Sequence, residues 1–373
     1  MAPIQTAQVL LSPAELSYLH SSLSLSPPIR PDGRTPTQFR LLVAESDILP
    51  SANGSARVCF ADGTEAIVGV KAEVEKSQWR PTAGEQRRLS VAAGDIVMDD
   101  DEGESGDASK TKGMGQDSWV EMSIEIPGFR DDDALPIFLS AMLTEALLAS
   151  GELKDRLYIN RRFHWKLYID ILLLSPPLSY PLPLLSLTTH LALLSARLPA
   201  LKSEQDEDPL FDDDWAASIS LFPRSNPNNP SRTHIKKPPV TLLVIAVGQN
   251  IIFDPSKEEL AVAEAVLAVS CAASHTSSAN PVRLLSIRTI DPPSRLTPPG
   301  IPNSMNSATG GSAPVSSTDA MAQREALNLS GVWTPRRGGI KRGLVGRVLK
   351  MVVEKGGVAE EVLEALEKVE VDG

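Results

Sequence analysis

The 373 residues are 42% hydrophobic, enough to bury one large core or two modest ones. A formal net charge of −11 argues against a chain that grips nucleic acid over its whole surface, because phosphate neutralisation supplies most of that affinity. The two cysteines, Cys59 and Cys271, exclude a disulfide framework and point to a reducing compartment.

Residues 1–6 lack the basic start and apolar run of a secretory signal. A short helix is expected after Ser12, where Glu15 completes a capping box and Leu11, Leu16 and Leu19 supply apolar contacts. Arg30-Pro31-Asp32-Gly33-Arg34 forms a rigid turn before a strand at 39–43. Residues 54–70 read as a hairpin closed by Asp62-Gly63. Alternation predicts a strand at 120–126, helical spacing follows at 135–149, and residues 165–174 form a strand that ends almost wholly apolar, as a central strand buried on both faces would.

A second helix fits 184–198. The apolar stretch 165–198 is broken by Asp170 and by Pro176, Pro177, Pro181 and Pro183, so it is not one membrane-spanning helix. Residues 240–247 form a buried strand that turns at Gly248-Gln249-Asn250 into Ile251-Ile252-Phe253. Ser256 and Glu259 cap a helix expected to run to about Ala272, a strand follows at 282–288, and a last helical region at 344–369 is divided by Gly356-Gly357.

The expected organisation is an N-terminal helical segment (1–29), a first domain (30–199) with an insert at 99–115, an inserted loop (200–239), and a second domain (240–373) with an insert at 292–320. The inserts are acidic or rich in Pro, Ser, Asn and Gly, without periodicity, and read as solvated linkers.

Several blocks occur in the order found in RNase PH-like proteins: Arg30-Pro31-Asp32-Gly33-Arg34, residues 51–58, residues 67–73, the strand from Arg161 to Leu174, and residues 240–245 followed by Asp254-Pro255-Ser256-Lys257-Glu258-Glu259. The chain resembles that family over most of residues 11–291 outside the inserts. The resemblance implies an α+β, RNase PH-like fold of two βαβα-type halves, with mixed sheets packed against helices. It further implies a ring subunit of the RNA exosome. Such a subunit would join other RNase PH-like subunits in a hexameric ring topped by RNA-binding cap subunits, and would line the path of single-stranded RNA during 3′-to-5′ processing and decay, including rRNA maturation and mRNA turnover. The setting expected is the nucleus and nucleolus, also the cytoplasm, with no membrane partner.

Phosphorolysis needs a phosphate held in line and countercharge where negative charge develops. Active members of the family seat phosphate in a Gly-Gly-Ser/Thr-Arg turn at a helix start and bind Mg²⁺ through carboxylates ahead of the later strand. In the corresponding turn this chain has Ser175-Pro176-Pro177-Leu178-Ser179-Tyr180-Pro181-Leu182-Pro183, with no glycine, no arginine, and prolines that remove amide donors. Residues 215–239 contain neither Asp nor Glu. The expectation is therefore an inactive subunit with no catalytic residue, no metal ligand and no cofactor. The alternative is an active phosphorolytic 3′–5′ exoribonuclease that uses the acidic block 206–214; a third reading is a related ring subunit with a different neighbour.

Asp99-Asp100-Asp101-Glu102 and Asp212-Asp213-Asp214 read as solvated charge. The histidines (His20, His164, His190, His234, His275) show no zinc spacing, and His164 reads as a packed or edge histidine. No nucleophile elbow, Walker loop or strand-linked dinucleotide motif occurs. By the resemblance, Arg130 and Arg162 are RNA contacts; solvated or intersubunit charge is the other reading of each. The C-terminal basic group (Arg336, Arg337, Lys341, Arg342, Arg347, Lys350) lacks interleaved aromatics, which leaves docking to a neighbour open.

Overall fold

A computed structural model describes residues 11–77, 115–130, 132–149, 151–203, 207–223, 237–273, 281–290 and 340–369. The expected inserts at 99–115 (save Gly115) and 292–320, together with Asp206, Arg336 and Arg337, lie outside the described residues.

Strands β1 (Leu42–Ser46), β2 (Gly54–Phe60), β3 (Glu65–Lys76), β4 (Val120–Glu125) and β5 (Phe163–Leu173) form a five-stranded sheet in the order β1-β2-β3-β5-β4. It is mixed: β4 runs parallel to β5 and the other pairs are antiparallel. The β2–β3 hairpin closes where expected, because Gly63 takes φ +84° and the Asp62 carboxylate accepts the Thr64 amide at 2.8 Å. The first strand begins later than predicted. The Arg40 amide donates to the Asp254 carboxylate at 2.8 Å, which draws residues before β1 off the ladder.

Helices α2 (Ala134–Leu148), α3 (Glu152–Arg156) and α4 (Leu182–Ser195) belong to this half, whereas the preceding helix α1 (Pro13–Ser24) packs on the second half, where Asn250 Nδ2 donates to the Leu23 carbonyl at 2.7 Å. The capping box predicted for α1 is present, with Ser12 and Glu15 exchanging bonds of 2.7 and 3.3 Å. Every residue of α4 is buried. One side of α4 packs on β2 and β3, and the other on the second sheet through β8 (Val240–Val247). Ser186 tightens that contact by accepting the Thr241 amide at 2.7 Å. The helix stops at Ser195, short of the expected 198, and Arg197–Leu198 (β6) pairs instead with Ile219–Ser220 (β7).

The second sheet has the order β11-β10-β8-β9, with β9 at Asn250–Phe253, β10 at Ala265–Ala273 and β11 at Val282–Ile290. Residues 265–272 correct the sequence reading. The helix α5 (Lys257–Ala261), capped by Ser256 and Glu259 as expected, ends far short of Ala272, and the following apolar run is strand β10. A run buried on both faces has no period to separate helix from strand. Here its antiparallel ladders to β8 and β11 decide the outcome. Helices α6 (Arg342–Val353) and α7 (Val358–Glu367), divided at Gly356-Gly357, cover β8, β10 and β11. The fold is RNase PH-like, two halves with sheets packed against helices.

β5 is an interior strand between β3 and the edge strand β4, not the central one, and it is not buried on both faces. Leu172 and Leu174 are 41% and 44% exposed, because α2 and α4 pack only on the opposite side of this sheet.

Candidate functional site

The turn between β5 and α4 is the place where an anion would meet a helix start. Pro181 precedes the helix, a proline occupies its first turn, and no side chain caps it. Burial pushes the Tyr180 hydroxyl up to about 12. The Ser175 hydroxyl accepts the Glu65 amide at 3.2 Å, which ties the turn to the β2–β3 hairpin.

Two carboxylates and a guanidinium converge here, which the local sequence of the turn does not reveal. Arg40 donates to Ser179 Oγ and to Asp62, both at 2.7 Å, and to Asp254 Oδ1 at 2.7 Å, while its guanidinium lies 4.4 Å from the Phe60 ring centroid. Burial alone would lower the Arg40 pKa, but the bonds and charges of Asp254 and Asp62 raise it. Burial pushes the Asp62 carboxyl up, and the bonds from Thr64 and Arg40 outweigh it and hold the group below its ordinary value. Asp254 also accepts from Arg34 at 2.9 Å. Behind it, buried Arg30 binds Glu259 through 2.7 and 2.8 Å bonds. This arrangement fits neither phosphate nor magnesium. The guanidinium is spent on internal carboxylates that would repel an anion, and those carboxylates are already neutralised by arginines that would repel a cation.

The acidic block sits elsewhere. The Phe211 ring packs 4.9 Å from the Trp165 ring, and the Glu207 carbonyl accepts from Asn160 Nδ2 at 2.9 Å. Both anchors lie at the start of β5, whereas the turn follows its end. At the rise of a strand, Trp165 and Leu173 stand about 26 Å apart. Asp212 pairs with Lys202 at 2.9 Å and Asp208 with Arg162 at 3.1 Å. Among the described residues, no group of three or more His, Cys, Asp or Glu could hold a metal ion.

The two arginines singled out from sequence are not brought together. Because β4 is parallel to β5, Arg130 beyond β4 falls at the turn end of the sheet, and Arg162 immediately before β5 falls at the opposite end. Arg130 is largely exposed, 3.8 Å from Asp132. Arg162 is held at its amide by Asn160 Oδ1 at 2.9 Å, with its guanidinium 5.4 Å from the Phe163 ring. His164 is a packed histidine. It stacks on Trp119 at 4.4 Å and meets Ser77 Oγ at 2.9 Å, and burial lowers its pKa. Sequence reasoning assigned Arg40 and Asn160 no role, and Asp254 stood only within the block 254–259, with no signal that joined it to Arg34 or Arg40.

Residues 38–199 match the 3′ exoribonuclease family, domain 1. The chain is 31% identical over 281 residues to the exosome complex component rrp42 of Schizosaccharomyces pombe, covering 71% of this chain and 79% of that protein. It is 28% identical over 283 residues to the exosome complex component RRP42 of Saccharomyces cerevisiae, covering 74% and 86%. Among solved structures, an archaeal exosome core aligns at 19% identity with a TM-score of 0.46, covering 74% of this chain and 84% of that one. An Archaeoglobus fulgidus exosome with RNA bound to the active site aligns at 18% with a TM-score of 0.47, covering 84% and 98%.

Proposed function

The chain belongs to the RNase PH-like family of exosome core subunits, close to RRP42, and from that premise we propose that it is a non-catalytic ring subunit of an RNA exosome. It scaffolds a hexameric core with other RNase PH-like subunits beneath RNA-binding cap subunits, and lines the path of single-stranded RNA for 3′-to-5′ processing and decay. Within the family, Val70-Lys71-Ala72-Glu73 and the strand Trp165-Lys166-Leu167-Tyr168-Ile169-Asp170 are the segments that point to ribosomal RNA-processing protein 42. They are neighbours in the fold, with Val70 opposite Ile169 and Glu73 opposite Lys166.

The observation that carries the inactive reading is the commitment of Arg40 to Asp254 and Asp62 beside a proline-lined helix start. Among the described residues of this turn and its partners, the Arg40 guanidinium is not free to meet phosphate. The alternative, an active phosphorolytic exoribonuclease using block 206–214, is disfavoured by the length of β5 between that block and the turn. Arg130 and Arg162 are the RNA contacts in this reading, and the setting is nuclear and nucleolar with a cytoplasmic pool, testable by imaging the tagged chain. The deciding experiment incubates the purified chain with 3′-labelled single-stranded RNA, phosphate and magnesium. No nucleoside diphosphate should form. Phosphate-dependent release that Asp212→Ala and Asp213→Ala abolish would establish the enzyme instead.

A further inference from the structure

The acidic block, unused by the reading above, is held against the arginine that the reading assigns to RNA. Asn160, only 4% exposed, does this with one side chain. Its Oδ1 accepts from the amides of Arg162 at 2.9 Å and Phe163 at 2.8 Å, and its Nδ2 donates to the Glu207 carbonyl at 2.9 Å. The residue before Asp208 and the backbone of Arg162 are therefore fixed relative to each other. Arg162 is further fixed where its carbonyl accepts the Ser77 amide at 2.7 Å. On the other side, Phe211 packs on Trp165, and the Asp212 amide donates to the Ala200 carbonyl at 2.8 Å. Both main chains are anchored, while the charged tips face water, with Arg162 57% and Asp208 78% exposed at a separation of 3.1 Å.

We propose that Asp208 is an intramolecular competitor for RNA phosphate at Arg162, resting on the assignment of Arg162 as an RNA contact. A carboxylate oxygen at hydrogen-bond distance from a guanidinium takes the position a phosphate oxygen would take. An exposed pair is weak, so a polyanion displaces it, yet each displacement lowers affinity. The result is a contact that is made and released readily, which suits a strand that must move past it. The anchored arm keeps Asp208 close enough to recapture the arginine once RNA leaves.

The test uses the full chain, co-purified with the ring subunits it assembles with, and a fluorescent oligouridylate titrated at several salt concentrations. Asp208→Asn should tighten binding about two- to fivefold at low salt, the range expected from freeing an exposed pair. It should also steepen the logarithmic salt slope by at most about 0.7, the value for one phosphate neutralised on a single strand, because no internal carboxylate then has to be displaced. Asp213→Asn, which removes an exposed neighbouring charge, should have a smaller effect. In the double variant Arg162→Ala/Asp208→Asn the gain should vanish. A gain no larger than that of Asp213→Asn, or one that survives loss of Arg162, overturns the competition. If Arg162→Ala leaves affinity unchanged even in the Asp208→Asn background, the arginine is not an RNA contact and the underlying assignment falls with the proposal. If that substitution weakens binding there while Asp208→Asn alone gives no gain, only the competition falls.

Discussion

Asp254 and Arg40 meet across 214 positions of sequence, the carboxylate accepting from the arginine's main-chain amide at 2.8 Å and from its guanidinium at 2.7 Å. Asp254 sits at φ +46° directly after β9, a backbone state that Asp tolerates better than most residues. This contact joins the entry to the first sheet to the second half of the chain, and Ser179 extends it to the turn before α4.

Removing the Asp254 carboxylate takes the buried partner from two largely buried guanidinium groups. Of carboxylates it leaves Arg40 only Asp62 and Arg34 only Asp32, both more exposed. Asp254→Ala should cost about 3–5 kcal/mol, the usual loss when one partner of a buried ion pair is deleted. Urea unfolding of the two proteins measures it. A loss under about 1 kcal/mol would show that water already screens the pair.

His190 predicts an acid sensitivity. It lies fully inside α4, and neither ring nitrogen has a hydrogen-bond partner among the described residues. Burial lowers its pKa from 6.5 to about 4, only partly opposed by the nearby Pro239 carbonyl. The folded pKa is depressed, so this contribution is intact above 6.5 and is lost as pH falls toward 4. Wild-type stability should drop by about 2 kcal/mol more than that of His190→Leu between pH 7 and pH 4.5. Parallel pH profiles of the two would remove histidine burial as the cause.

Gly54 and Gly63 make a paired test of space against backbone strain. A Cβ on Gly54 would fall 2.4 Å from Ala196 Cα and 2.7 Å from the Ala192 carbonyl, backbone atoms that cannot step aside. Gly54→Ala should cost about 1–3 kcal/mol or more by forcing α4 from β2. Gly63→Ala meets no atom within 4 Å but must hold φ +84°, for about 1 kcal/mol. Thermal unfolding ranks the two, and a reversed order contradicts the packing account.

The face of the first sheet that no described helix covers predicts how the lone chain behaves. Val43, on edge strand β1, is 65% exposed and Leu172 is 41% exposed. Open apolar edges invite association. Val43→Lys/Leu172→Lys should leave folding stability within about 0.5 kcal/mol per site and reduce self-association in sedimentation. Unchanged association would place the sticky surface elsewhere.

Much of this architecture is written in short-range chemistry. The capping boxes at Ser12/Glu15 and Ser256/Glu259, the hairpin at Asp62-Gly63 and the break at Gly356-Gly357 each close within a few residues, so local sequence determined them, as it determined the family through ordered blocks. Other features arise between segments that only folding brings together. Whether residues 265–273 become helix or strand depends on β8 and β11 offering ladders on both sides. The placing of Arg130 and Arg162 at opposite ends of one sheet follows from the parallel register of β4 and β5. Arg40 on Asp254, and Asp208 on Arg162, are pairings whose energy depends on burial and distance, quantities that neighbouring residues in the chain do not encode.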